Sequence, residues 1–153
     1  MTLTLEARLQ RLEDIEAIRQ LKARYCQACD DDHNGDAVAA CFVADGLWEG
    51  ANIDVHARGH DAIRAYIDGV RSSGRVNNPA HMVMNPVITL DGDRATGHWR
   101  FLMMYADRSD PAASHFHRII GIYEDEYVRT DAGWLMSVLR VTVQENNEYK
   151  VEA

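Results

Sequence analysis

HMVMNPVITLDGDRATGHWRFLMMY, residues 81–105, is the stretch whose reading decides the fold of this chain. Apolar residues recur at every second position on either side of Asp91-Gly92, a dipeptide that favours a tight hairpin turn. The spacing therefore predicts a strand over 81–90 and a returning strand over 94–105. On the returning strand, Trp99, Phe101, Met103 and Tyr105 share one face. His98, Leu102 and Met104 share the other.

Working outward, the alternation continues downstream. A loop is expected over 106–114, around Pro111, followed by a long strand over 115–129. A turn at Thr130-Asp131-Ala132-Gly133 leads to a last strand over 134–144. His117, Ile119, Gly121 and Tyr123 fall on one face of the long strand.

Upstream the period changes to that of a helix. Leu5, Leu9 and Leu12 begin the pattern, and Ile15, Ile18, Leu21, Tyr25 and Ala28 continue it. Asp14 is the expected N-cap of the second part. The run DDDHNGD, residues 30–36, ends the helix at Asn34-Gly35. A short helix is expected over 36–43 and a turn at Asp45-Gly46. A strand over 47–55 and a third helix over 59–73 follow. Helices ahead of antiparallel strands give an α+β layout, with helices on one face of a sheet. No repeat or linker divides residues 1–153, so they are expected to form one domain.

Composition narrows the function classes. Hydrophobic residues make up 46% and charged residues 26% of 153, ordinary proportions for a globular protein. A formal net charge of −8 argues against nucleic acid and anionic membrane surfaces as partners. The first residues, MTLTLEARLQRLED, lack the apolar stretch of a signal peptide, and a cytoplasmic location is the expectation. Cys26, Cys29 and Cys41 read as small core residues, because the C-x-x-C lies within a helical pattern and no second pair follows. His115 and His117 form H-x-H, but no carboxylate or third histidine supports it, and no metal is expected. Phosphate-cradling and dinucleotide motifs are absent from the sequence, and no cofactor is expected.

Three residues carry candidate chemistry. Asp30 ends the first helix, His81 begins the hairpin, and Tyr25 lies one helical turn before Asp30. A carboxylate beside an imidazole makes a general base that works near neutral pH. A phenol nearby donates a hydrogen bond to a developing oxyanion.

These residues also carry a resemblance. DIEAIRQLKARYCQACD, the DGLW turn, the hairpin and YEDEYVRTDAGW, in this order, resemble the SnoaL-like, scytalone dehydratase-like branch of the nuclear transport factor 2-like superfamily. Within it the motifs look most like bile-acid 7α-dehydratase, whose Tyr-x₄-Asp is matched by Tyr25 and Asp30. The resemblance implies a strongly curved, mixed or antiparallel sheet wrapped by three helices into a cone, a cystatin-like α+β barrel around an apolar pocket. His81 would be the base and Asp30 its orienting partner. Scytalone dehydratase and lindane dehydrochlorinase have the same pair.

The chain departs from these relatives at Met103, Tyr105, Gly121, Tyr123 and Cys29, which stand where one or the other has a polar group. The expected pocket wall is Trp48, Trp99, Phe101, Met103, Tyr105, His117 and Tyr123, with His117 as a candidate second acid or base.

The implied activity is a cofactor-independent dehydratase acting on a hydrophobic cyclic carbonyl compound of steroid, polyketide or terpenoid type. Cyclisation and double-bond migration share its first step and remain open, as does ligand binding without catalysis. A structural subunit of a larger enzyme is a further alternative. The apolar outer face, with His98, Leu102, Met104 and Ile120, leads us to expect a homo-oligomer, a trimer rather than a dimer.

Overall fold

The computed structural model describes residues 3–109 and 114–151. Part of the loop expected around Pro111 lies outside them. α1 (Leu5–Asp30) is a single unbroken helix, capped by Thr4, whose hydroxyl accepts a hydrogen bond from the Ala7 amide at 3.2 Å. The cap expected at Asp14 is corrected. No helix breaker precedes Asp14, and its carboxylate serves a tertiary contact instead. It accepts two hydrogen bonds from Arg129, at 2.7 and 2.6 Å, and one from the Trp134 indole at 3.1 Å. The Arg129 hydrogen bonds, against the opposing effect of burial, hold the Asp14 carboxyl below its ordinary value.

This pair has a pH signature. An aspartate whose folded pKa is depressed stabilises the fold fully above its unfolded value of roughly 3.9. That stabilisation is lost as pH falls through the lower folded value. We expect Asp14→Asn to cost about 2 kcal/mol in urea unfolding at pH 7, the scale of charged hydrogen bonds lost from a buried site. The difference from the native chain should shrink on acidification below roughly pH 4.

α2 (Gly35–Ala39) is shorter than expected, because β1 (Phe42–Gly50) already begins at Phe42. The strand expected over 47–55 is in fact two strands, β1 and β2 (Val55–Arg58), paired antiparallel around a turn. Gly50 permits that turn, since a Cβ there would meet Ile53 Cγ1 at 2.2 Å. α3 (His60–Ser72) then packs on β1 and β2.

β3 (Asn77–Asp91), β4 (Arg94–Asp107), β5 (Ser114–Thr130) and β6 (Gly133–Val151) form the antiparallel meander anticipated from the alternation. β6 outruns its expected end at 144 because it stays paired with β5 as far as Ser114. The sheet order is β2-β1-β6-β5-β4-β3, with β1 parallel to β6, which makes it a mixed six-stranded sheet with two free edges.

Register shifts interrupt the pairing between Met84 and Val87 and between Ile120 and Gly121. Such bulges sharpen the bend of a sheet, and here they accompany its curl around the interior. Gly121 faces inward beneath the Phe101 ring, where a Cβ would meet Thr142 O at 2.3 Å and Phe101 Cε1 at 2.5 Å. No side chain fits at that position, so no polar group can stand there.

The buried core gathers Ile18, Leu21 and Tyr25 of α1 with Trp99, Phe101 and Tyr123 of the sheet. The amino-terminal half of α1, from Leu5 to Glu13, is exposed. On the outer face of the sheet Met82, Met84, Val87 and Met104 are exposed. No described helix is long and apolar enough to cross a membrane.

Candidate active site

The α1 helix ends at Asp30, and the next residues reverse the chain. Asp32 and His33 both take left-handed backbone conformations, at φ 49° and 52°. The His33 amide bonds back to Cys29 O at 3.2 Å and the Asn34 amide to Ala28 O at 3.0 Å, which closes the helix end. Asn34 then caps α2 through its side-chain oxygen. This tight reversal holds Asp30 against the start of β3.

There the Asp30 carboxylate meets His81 twice. Asp30 Oδ1 lies 2.6 Å from His81 Nδ1. The His81 backbone N–H donates to both carboxylate oxygens at 3.1 Å. The side chain of His81 is 8% exposed and that of Asp30 31%. With Nδ1 engaged by the carboxylate as a donor, Nε2 carries the lone pair, which is the form of a general base.

His81 borders an inner cavity of about 220 Å³. Its walls include Tyr25, Trp48, Phe101, Met103, Tyr105 and Tyr123, all expected there from sequence. The Trp48 indole donates to the Tyr25 hydroxyl at 2.9 Å. Burial raises both Tyr25 and Tyr123 well above the usual phenol range, so both remain protonated donors. Cys29 also lines the cavity, and burial pushes its thiol up, consistent with packing rather than reactivity.

Two expected wall residues lie elsewhere. Trp99 is inward-facing but sits too far along β4 toward the hairpin, where it is sealed in the core and donates to the Tyr127 hydroxyl at 3.0 Å. His117 stands outside the inner cavity, stacked on Tyr105 with ring centroids 4.6 Å apart. It borders an outer groove of about 830 Å³ with Arg75, Asp107, His115 and Glu148. Tyr66, Val70, Val76 and Tyr105 line both spaces, so the cavity and the groove adjoin. His115 is paired with Glu148. Among the described residues, no cluster of three or more His, Cys, Asp or Glu could hold a metal ion.

Sequence reasoning missed two features. The first is a buried charge pair behind the cavity wall. Lys22 Nζ lies 2.9 Å from Asp125 Oδ2, and both side chains are 0% exposed. The ammonium also sits 3.4 Å from the centre of the Tyr123 ring. Among the described residues it makes no well-directed hydrogen bond, and charge attraction and the ring face hold it. Asp125 Oδ2 also accepts from the Tyr127 hydroxyl at 2.7 Å, which completes a line from Trp99 through Tyr127 to the carboxylate. Burial pushes Asp125 up, while Lys22 pulls it down. The second feature is His33, which also lines the inner cavity.

The model of the SnoaL-like domain matches residues 10–140. The chain belongs to the SnoaL-like family. Among solved structures, this SnoaL-like chain is similar to a nuclear transport factor 2-like protein with a cystatin-like fold from Novosphingobium aromaticivorans. That protein is 28% identical, with 92% of this chain and 88% of the other covered, at a TM-score of 0.79. A protein of the same organism, provisionally assigned as a scytalone dehydratase, is 21% identical over 94% of this chain and 92% of its own, at 0.79. The hexachlorocyclohexane dehydrochlorinase LinA-type3 of Novosphingobium barchaimii is 20% identical over 92% and 93%, at 0.78. The likeness to the last two shows the fold alone, and it agrees with the curled sheet and helices described above. No curated protein matches the chain.

Proposed function

We propose that this SnoaL-like protein is a cofactor-independent lyase that removes water from a hydrophobic cyclic carbonyl compound. The observation that carries the reading is the 2.6 Å contact between Asp30 and His81 at the wall of a mainly apolar cavity. His81 Nε2 takes a proton from the carbon next to the carbonyl. Asp30 fixes the ring and stabilises the imidazolium that results. Tyr25 donates a hydrogen bond from its hydroxyl to the enolate oxygen and keeps its proton, while one of its own lone pairs is engaged by Trp48. His81 then gives its proton to the departing hydroxyl group. Cyclisation or double-bond migration would use the same first step. The solved structures named for elimination enzymes, a dehydratase and a dehydrochlorinase, lend support by analogy of fold.

Size narrows the substrate. The inner cavity of about 220 Å³ falls below the range of roughly 300–1,000 Å³ that suits drug-sized ligands. A body of one or two rings fits inside, and a longer skeleton, a steroid included, would need the adjoining groove as well. The test is a panel of cyclic β-hydroxy carbonyls followed by the absorbance of the conjugated product. Conversion of none of them favours a binding protein instead.

A homo-oligomer is part of the same proposal. The outer face carries exposed Met82, Met84, Val87 and Met104, with Leu102 and Ile120 half-buried beside them. Light scattering at micromolar concentration is expected to give a trimer, and Met104→Glu to shift it toward monomer. A monomeric native chain would contradict this.

A further inference from the structure

His33 belongs to none of the roles assigned so far. It is 4% exposed and lines the same inner cavity as His81, and its ring nitrogens, which keep some accessible surface, make no hydrogen bond to another described residue. A ring nitrogen without a protein partner at a cavity wall is left for whatever enters the cavity to satisfy. The backbone carries a cost of its own. Asp32 and His33 are consecutive non-glycine residues in the left-handed region, a conformation that is uncommon and mildly strained. The strained reversal delivers an unpartnered imidazole to the cavity that holds the general base.

We propose that His33 is a second catalytic residue, a neutral imidazole that donates a ring N–H to the substrate oxygen. This rests on the lyase reading. When His81 Nε2 takes the proton, the C–H electron pair becomes the C=C bond of the enolate, and the carbonyl π pair moves onto oxygen. His33 holds that oxygen together with Tyr25 and forms no covalent bond. Two donors aimed at one developing oxyanion make a stronger cradle than one.

The surroundings keep the ring neutral. Burial lowers the His33 pKa most, and His81 and Arg71 lower it further, against the opposing pull of Asp32 and Asp30. A neutral imidazole at this place adds no second positive charge beside the imidazolium that His81 becomes.

The test uses 2-naphthol and 2-methylnaphthalene, flat probes of matched size that differ by the hydroxyl. Fluorescence titration of the native protein should show tighter binding of 2-naphthol. His33→Phe should cut the preference roughly two- to tenfold, the equivalent of one net hydrogen bond, while 2-methylnaphthalene binds as before. An unchanged preference, an equal loss for both probes, or no preference in the native protein would overturn the proposal. A second measurement needs no variant. The ¹⁵N resonances of the His33 ring should move on addition of 2-naphthol and not of 2-methylnaphthalene, and an equal response to both would also overturn it. Failure here is separable from failure of the lyase reading. The probe preference concerns His33 alone, and turnover of the carbonyl panel concerns the reaction.

Discussion

His81→Ala is expected to abolish measurable turnover and to leave the fold intact, as checked by far-ultraviolet circular dichroism. The variant removes the group proposed to take the proton, and positioned acid–base groups are worth roughly 10²–10⁴-fold in rate. Asp30→Asn keeps the imidazole but removes the charge that stabilises its protonated form, so its loss should be smaller though still large. Asp30 also accepts the His81 backbone amide, and its replacement should loosen the junction of α1 with β3 as well. Cys29→Ser should do little to the rate. If His81→Ala retains native activity on a substrate the protein converts, the base assignment is wrong. His33 then becomes the next candidate, ahead of His117, which stands outside the inner cavity.

The largest effect on stability is expected from the buried pair. Lys22→Met leaves Asp125 as an uncompensated buried charge, and Asp125→Leu does the same to Lys22. Breaking such a pair costs about 3–5 kcal/mol. For a chain of this length, that lowers the melting temperature by roughly 6–20 °C. The double variant Lys22→Met, Asp125→Leu should recover much of the loss, because two apolar groups of similar volume avoid the desolvation of two charges. Thermal unfolding of all four proteins completes the cycle. Single variants as stable as the native chain would mean that the pair is not buried as described. Tyr123, whose ring covers the ammonium, connects this pair to the cavity wall.

The strand meander was legible because period-two alternation is a local signal and Asp91-Gly92 marks its turn. The pairing of β1 with β6 was not, since the contact joins segments about ninety residues apart, as in Trp48 with Leu139. The faces of β4 were read correctly, yet Trp99 was misplaced. Alternation gives the side of a strand and says nothing about depth along it.

Asp30 and His81 were singled out through a resemblance, because nothing in their spacing brings residues 30 and 81 together. Lys22 was hidden by the default that lysines are exposed. It shares the helical stripe of Ile18, Tyr25 and Cys29, and Asp125 is in phase with Tyr123 and Tyr127. Each position alone is ambiguous, but together they were a readable sign of a buried pair. His33 left no sign at all. Its direction is set by two left-handed residues, which periodicity does not report.

The α1 helix has a gradient of anchoring that matters for how the molecule breathes. Its residues up to Glu13 have no buried side chain, whereas Asp14, Ile18, Leu21, Lys22 and Tyr25 are buried. Helical segments shorter than about 12–15 residues are marginal in water on their own. Amide hydrogens in the first turns should therefore exchange through local fraying, while those near Cys26 and Asp30 should wait for opening of the core. Fraying is expected to start at the amino-terminal end of the helix and to stop where the Asp14 contacts begin. The carboxylate that orients His81 sits four turns beyond that stop, shielded from motions at the other end of its own helix.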